Sequence, residues 1–507
     1  MTDRAPLVAR LEVDAAHPIG RVHDRVFGGF VEHMGRGVYG GLFDPEHPSA
    51  DAEGFRRDVL DLVRELGITM VRYPGGNFVS GYRWEDGVGP IEQRPRRLNL
   101  AWHSVESNRV GLHEFARWAE LVGAELMLAA NLGTRGVLEA LDLAEYALHP
   151  AGTARADERR ANGREEPFPV RLWCLGNEMD GPWQLGQQTA DEYGRLASRT
   201  AKALRQLDPA LELVACGSSG PLMPTFGSWE RTVLRHAYDD VDLLSAHFYA
   251  EPVDGDLAAF LASGVALDRY LDDVIGIVDA VRDELGSVRT LGISVDEWNV
   301  WYQSRMAASL PTGDNWPEAP ALSEDDYCLA DAVVVGDLLI SLLRRADRVT
   351  AACLAQVVNV IAPIAAPADA LAWRRATFHP FALTARHARG ESLPVAVDAP
   401  FIAAGSLGEA PAVSAAAVRT DDGGLTVLLV NRDLEREVDA TVVVAGLAPG
   451  ARVLEAVSLS GPDPLDASTI DAPDRVSPCG NTSTRVEAGV VRVTLPAVSW
   501  SLVRVGR

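Results

Sequence analysis

Short apolar runs, each closing on a polar residue, alternate along most of the chain with stretches where apolar residues recur every three or four positions. The runs predict strands at Val26–His33, Thr69–Tyr73, Glu125–Asn131, Val170–Gly176, Glu212–Cys216, Val241–His247, Thr290–Val295 and Thr350–Val358. The stretches between and after them predict helices near 54–66, 109–122, 136–148, 189–207, 229–238, 268–285, 324–346 and 373–386. In the first helix Phe55, Val59, Leu62, Val63 and Leu66 fall on one stripe. The fourth opens with Thr189-Ala190-Asp191-Glu192, a capping-box pattern. Eight strand–helix pairs in succession are the arithmetic of a (β/α)8 TIM barrel, an α/β fold. A doubly wound sheet is the alternative, but no Gly-x-Gly-x-x-Gly follows a strand.

After about residue 387 the helical period disappears. Leu425–Asn431, Glu437–Val444, Ala451–Ser458 and Val490–Val505 read as strands, with a turn at Asp421–Gly424, and predict a C-terminal β-sandwich. Residues 7–13 alternate like a strand and are expected to join it. The chain therefore divides into an N-terminal strand segment (1–18), a catalytic barrel (19–387) and a β-sandwich (388–507). The charged segment 151–169 and the Pro-, Asp- and Ser-rich segment 462–488 read as surface loops.

Composition narrows the function. Lys plus Arg is 47 against 71 for Asp plus Glu, a formal net charge of −24, which repels nucleic-acid phosphates and anionic membrane surfaces. The one lysine, Lys202, lies well inside a predicted helix, which argues against Schiff-base chemistry and a Walker-type phosphate loop. Five scattered cysteines form no CxxC pair and no disulfide framework. The first thirty residues hold no apolar run of signal-peptide length, and the apolar stretch 351–373 is cut by Gln356, Asn359, Pro363 and Pro367. The expected location is the cytoplasm.

In a TIM barrel the reactive groups sit where strands end. Those ends carry Glu32-His33, Arg72 with Asn77 beyond it, Asn131, Asn177-Glu178, Ser218-Ser219, His247 with Tyr249, Asp296-Glu297, and Gln356 with Asn359. Each has a plain structural explanation when taken alone. Gly176-Asn177-Glu178 can be a turn, Asp296-Glu297 a helix N-terminal charge pair, Arg72 an ion-pair partner and His247 a core histidine. The tryptophans at 84, 102, 183, 298 and 301 can be core as readily as sugar platforms. Their coincidence on one face favours function. Two glutamates in a low-dielectric mouth, on the fourth and seventh strands, can serve as acid/base and nucleophile in glycoside cleavage.

The segments GFVEHMGR (29–36), VRYPGGNF (71–78), WEDGVGP (84–90), LAWHSVESN (100–108), NLGTRG (131–136), WCLGNEMDGPW (173–183), AHFY (246–249), DEWNVWY (296–302) and AQVVNVIAP (355–363) resemble glycoside hydrolase family 51, the α-L-arabinofuranosidases. The likeness runs in order from about residue 20 to 385, and the sandwich resembles the family's C-terminal domain more loosely. It implies a retaining, exo-acting hydrolase with Glu178 as general acid/base and Glu297 as nucleophile. It also implies that Arg72 and Tyr249 keep Glu297 charged, that Asn177 binds the sugar 2-OH, and that Glu32, Asn77 and Gln356 bind ring hydroxyls. His247 would support the acid/base and Trp102 would pack on the sugar. No cofactor and no metal are implied, and no HxH or HExxH pair suggests one. The implied partners are small arabinose-containing oligosaccharides and copies of the chain itself, as a homo-oligomer, a hexamer by resemblance. Gln187 departs from the family's usual histidine. A β-D-galactofuranose-specific enzyme of the same mechanism, a metal-dependent barrel enzyme using His247 and His33, and a non-catalytic sugar-binding barrel are the alternatives.

Overall fold

A computed structural model describes residues 5–507 except 446, 448, 449 and 488, so the first four residues of the N-terminal segment and residue 488 of the long loop lie outside the described residues. Eight parallel strands close into a barrel in chain order: Gly28–Phe30, Met70–Tyr73, Glu125–Ala130, Val170–Leu175, Glu212–Ala215, Leu243–Ala250, Gly292–Val300 and Val349–Ala355. The fold is a (β/α)8 TIM barrel followed by a C-terminal domain made mostly of strands. Its inward residues Met70, Met127, Leu172, Val214, Leu243 and Cys353 form one buried cluster that reaches Phe30 and Trp102 at the mouth. A second, larger cluster joins the outer faces of the strands to the helices.

The sixth and seventh strands run further than their apolar runs suggest, to Ala250 and Val300, so Asp296 and Glu297 lie inside a strand rather than past its end. The pairing slips there: Ser245 stands opposite Ser294, but His247 stands opposite Glu297. Consecutive strand residues normally face opposite sides, and a bulge re-aims one of them. Here the irregularity lets the adjacent Asp296 and Glu297 both reach Arg72.

Segment 151–169 is not all loop. Ala154–Ala161 is a helix, capped by Thr153, whose side chain accepts from the Ala156 amide. Its buried face carries Arg159, fully enclosed, whose guanidinium donates to the carbonyls of Tyr146, His149, Pro150, Arg164 and Glu165. A buried arginine leaves no apolar stripe to read.

The helix Leu329–Leu343 is buried along its whole length, because the sandwich packs on the side that faces away from the barrel. The long loop covers its first turn, where the amides of Leu329 and Ala330 bond the carbonyls of Asp466 and Pro464. Asp337 on this helix pairs with Arg432 of the sandwich at 2.7 Å, both side chains buried. The sandwich consists of a five-stranded and a seven-stranded sheet around a separate core. The N-terminal strand Leu7–Val13 lies parallel to Val438–Val444 in the first sheet, and Gly20–Arg21 joins the second. Among the described residues no helix is long and apolar enough to cross a membrane.

Candidate active site

The strand ends converge on a cavity of ≈ 490 Å³ with a polar floor of Glu32, Asn77, Glu178, His247, Glu297 and Gln356. Trp102 and Tyr249 also line it. Arg72 and Asn177, expected to bind substrate, are not among its lining residues; both are almost fully buried. Asn131 and Asn359 do not enter either. Asn131 accepts the amides of Gly133 and Thr134 in its own turn, and Asn359 bonds the backbone at Arg36 and Ala366.

Arg72 organises the charges. One guanidinium nitrogen donates to Glu297 Oε1 at 2.7 Å, a second to Asn177 Oδ1 at 2.7 Å, and Nε lies 3.4 Å from Asp296. The Tyr249 hydroxyl donates to Glu297 Oε2 at 2.8 Å. Asp296 is fully enclosed, which opposes ionisation, yet Arg72 and His247 hold its carboxyl below the usual range. Burial likewise works against a charged His247, but Glu297, Asp296 and Glu178 push its pKa up to about 10.

Glu178 takes one hydrogen bond from His247 Nδ1 at 2.9 Å and one from Trp183 Nε1 at 2.8 Å. Burial raises its pKa, and the negative charge of Glu297 raises it further against the pull of His247. Glu32 accepts from the Phe78 amide at 2.7 Å and from Trp102 Nε1 at 2.8 Å, and its own amide donates to Gln356 Oε1. Burial together with the Glu297 charge moves its pKa to about 8. A Cβ at Gly76 would sit 2.9 Å from Glu32 Oε2 and 3.2 Å from Glu297 Oε1, so a larger residue there would press on both carboxyl groups.

Glu178, His247 and Glu297 can each offer an atom within 4.8 Å of the others, near enough for a metal ion. In this arrangement the His247 imidazole is engaged by carboxylates on both sides, Nδ1 with Glu178 at 2.9 Å and Nε2 lying 3.4 Å from Asp296. His33, the other histidine of the metal alternative, is turned to Glu106 and the Tyr73 hydroxyl, each at 2.8 Å.

Comparison with known proteins bears directly on this arrangement. Residues 62–260 match the model of the α-L-arabinofuranosidase 1 domain, and residues 296–499 that of the α-L-arabinofuranosidase C-terminal domain. An exo-α-(1→6)-L-arabinofuranosidase of Bifidobacterium longum is 52% identical, aligned over 98% of this chain and 97% of its own. An intracellular exo-α-(1→5)-L-arabinofuranosidase of Streptomyces lividans is also 52% identical, over 98% of this chain and 75% of its own. The solved structure of a family 51 α-L-arabinofuranosidase from Bifidobacterium longum superposes with a TM-score of 0.94 at 44% identity, covering 99% of this chain and all of that one.

The chain belongs to glycoside hydrolase family 51. It is thus an α-L-arabinofuranosidase by class, as the resemblance of its strand-end motifs implied. Within that family site, two groups carry more than the sequence disclosed. Asp180, two residues past Glu178, accepts from Ser218 Oγ, the Ser219 amide and Thr225 Oγ1, which ties the turn after the fourth strand to the loop after the fifth. Trp183, half exposed, donates to Glu178 itself. Both lie in the WCLGNEMDGPW segment, and Trp183 was also among the tryptophans weighed as sugar platforms. Gln187, exposed and outside the cavity lining, donates its side-chain amide to the Asp180 carbonyl at 2.8 Å.

Proposed function

We propose that the chain is a retaining, exo-acting α-L-arabinofuranosidase that removes terminal non-reducing arabinofuranosyl residues from short arabinan- and arabinoxylan-derived oligosaccharides. The observation that carries this reading is the approach of the Glu178 and Glu297 carboxylates, with an oxygen of each within 4.8 Å. Retaining pairs stand about 5–5.5 Å apart, whereas an inverting pair needs about 6.5–9.5 Å to admit a water between them. Glu297 bonds to the anomeric carbon as the glycosidic C–O bond breaks, and Glu178 hands its proton to the departing oxygen. Glu178 then takes a proton from water, whose hydroxyl displaces Glu297 and releases arabinose. The raised pKa of Glu178 suits a group that begins as an acid. Arg72 and Tyr249, both donating to Glu297, suit a group that attacks as a carboxylate. Glu32, Asn77, Gln356 and Trp102 bind the sugar ring, Asn177 supports them from behind the wall through its bonds to Arg72 and Asn77, and His247 orients Glu178.

The same reading divides the chain into a strand segment (1–18), the catalytic barrel (19–387) and the sandwich (388–507). Relatives named for (1→5) and (1→6) linkages support arabino-oligosaccharides as the substrate class. Relatives named intracellular support a cytoplasmic enzyme. We assign it to a homo-oligomer, a hexamer. Proton NMR of the first product decides the mechanism: the arabinose released first keeps the α configuration, and a β product overturns the assignment.

A further inference from the structure

The loop after the fifth strand carries the sequence Gly220-Pro221-Leu222-Met223-Pro224, which offers no side-chain donor or acceptor, and its first four residues line the catalytic mouth. Leu222 is 96% exposed. The loop is nevertheless fixed at both ends. Asp180 holds Ser218 Oγ at 2.7 Å, the Ser219 amide at 2.9 Å and Thr225 Oγ1 at 2.5 Å. Glu230 holds the amides of Ser218 at 2.8 Å and Gly227 at 2.7 Å. Two prolines and a bond from the Met223 amide to the Gly220 carbonyl stiffen the span between. An apolar side chain is thus presented to solvent on a rigid support anchored two residues from Glu178.

The segment after the seventh strand adds further apolar lining beside one polar residue, Gln303. Trp301, Met306 and Leu310 supply it, and the one polar group of Trp301 is engaged by Ser323 Oγ at 3.2 Å. The leaving group must lie on the side of Glu178, because that is where its oxygen receives the proton. Trp183, bonded to Glu178, and the Pro221–Met223 span, tied through Ser219 to Asp180, line the cavity next to that group. A sugar pressed against the span would lose water from its hydroxyls and find no side-chain partner on it. An apolar alcohol would lose nothing and gain from burial.

We propose that Pro221, Leu222 and Met223, with Trp301, Met306 and Leu310 lining the same cavity, form a binding wall for an apolar leaving group, so that the enzyme cleaves α-L-arabinofuranosides of aliphatic alcohols as well as oligosaccharides. The inference rests on the reading of Glu178 as the proton donor. The reaction is the same hydrolysis: the alcohol leaves with the proton of Glu178, and water supplies hydroxyl to the sugar carbon and a proton back to Glu178.

The test is a series of n-alkyl α-L-arabinofuranosides from methyl to octyl, in which the leaving-group chemistry is nearly constant and only buried length changes. With one side of the chain covered, kcat/KM rises about twofold per methylene, roughly half the effect of full burial. In Leu222→Asn the octyl-to-methyl ratio of kcat/KM falls at least fivefold, and a Leu222→Ile variant restores most of it. A flat series in the wild-type enzyme, or an unchanged ratio in Leu222→Asn, overturns the proposal. A flat series with an altered oligomeric state in Leu222→Asn overturns it too and assigns the rim to a contact between copies. If the methyl glycoside is cleaved and the series is flat, the furanosidase reading stands and the wall alone fails; if no member releases arabinose, both fail.

Discussion

Glu178→Ala separates the two chemical steps, and the structure sets what it removes. The substitution takes away one carboxyl and two hydrogen bonds, from His247 at 2.9 Å and Trp183 at 2.8 Å. The surroundings of Glu297 stay in place, because Arg72 and Tyr249 bond it independently and His247 keeps Asp296 at 3.4 Å. Trp183 is half exposed, so its freed N–H turns to water and the fold has little to lose. On natural oligosaccharides the departing alkoxide needs a proton, and a positioned acid/base contributes about 10²–10⁴-fold, equivalent to about 3–5 kcal/mol. Turnover of arabino-oligosaccharides should fall by that factor. A nitrophenyl arabinofuranoside needs no proton, so its first step should proceed almost normally and the glycosyl-enzyme should accumulate. The assay is stopped-flow release of nitrophenol: one equivalent per active site in a burst, then a slow phase that azide accelerates to give an arabinosyl azide of retained α configuration. Glu297→Ala should show no burst and lose both substrates alike. Exchange of the two phenotypes would reverse the assignment, and the absence of any burst with unchanged oligosaccharide turnover would remove Glu178 from the reaction.

Arg72→Lys keeps a charge but not the fork that reaches Glu297 and Asn177 together; losing one charge-assisted bond and the alignment it enforces costs about 3 kcal/mol, or about a hundredfold in kcat, and wild-type turnover would make Arg72 scaffolding only. Glu297→Gln removes the charge that lifts Glu178, so the Glu178 pKa read by carbon-13 NMR should fall, and an unchanged value would exclude coupling between the two carboxyls. Glu32 keeps its proton to about pH 8 when folded and loses it near 4.5 when unfolded, so it stabilises the fold fully below pH 4.5 and progressively less as pH rises to 8. That loss is on the order of 4 kcal/mol, and Glu32→Gln should flatten the decline of melting temperature across this window; a slope equal to that of the wild type would refute it. Arg432→Met leaves Asp337 buried without its counter-ion between barrel and sandwich, which costs about 3–5 kcal/mol, and calorimetry showing an unchanged transition would contradict this.

Much of the barrel was legible because each strand is an apolar run that stops at a functional group, and stopping is visible in one dimension. Glu32, Asn77, Trp102, Glu178, His247, Tyr249, Glu297 and Gln356 all line one cavity, as strand-end position and family resemblance together suggested. What escaped is what depends on register or on partners far away in the chain. Asp296 and Glu297 read as residues past a strand, because alternation cannot reveal a bulge against His247. The helix Ala154–Ala161 was unreadable because its buried residues are a single alanine and an arginine satisfied by five carbonyls. Asp180 stood in the WCLGNEMDGPW segment with no role of its own, and its importance comes from Ser218, Ser219 and Thr225, about forty residues on. Arg72 and Asn177 were placed correctly at strand ends, but their burial behind the wall is a property of packing alone.

Four carboxyls and two cations share this mouth, and their order follows from which carboxyl the cations face. Asp296 lies between Arg72 and His247 and is held charged by both despite its burial. Glu297 takes the Arg72 guanidinium and the Tyr249 hydroxyl. Glu32 has only neutral donors, an amide and an indole, so burial wins and its proton stays. Glu178 is intermediate: burial and Glu297 favour its proton while His247 opposes it. That balance depends on the state of the reaction. When Glu297 becomes an ester in the glycosyl-enzyme its negative charge disappears, and one of the two causes that raise Glu178 disappears with it, while the pull of His247 remains. Glu178 has also just given up its proton. The group that needed to be an acid in the first step therefore becomes a better-stabilised carboxylate in the second, when a base is required to activate water. The switch needs no movement of the chain, because the nucleophile's own change of charge performs it.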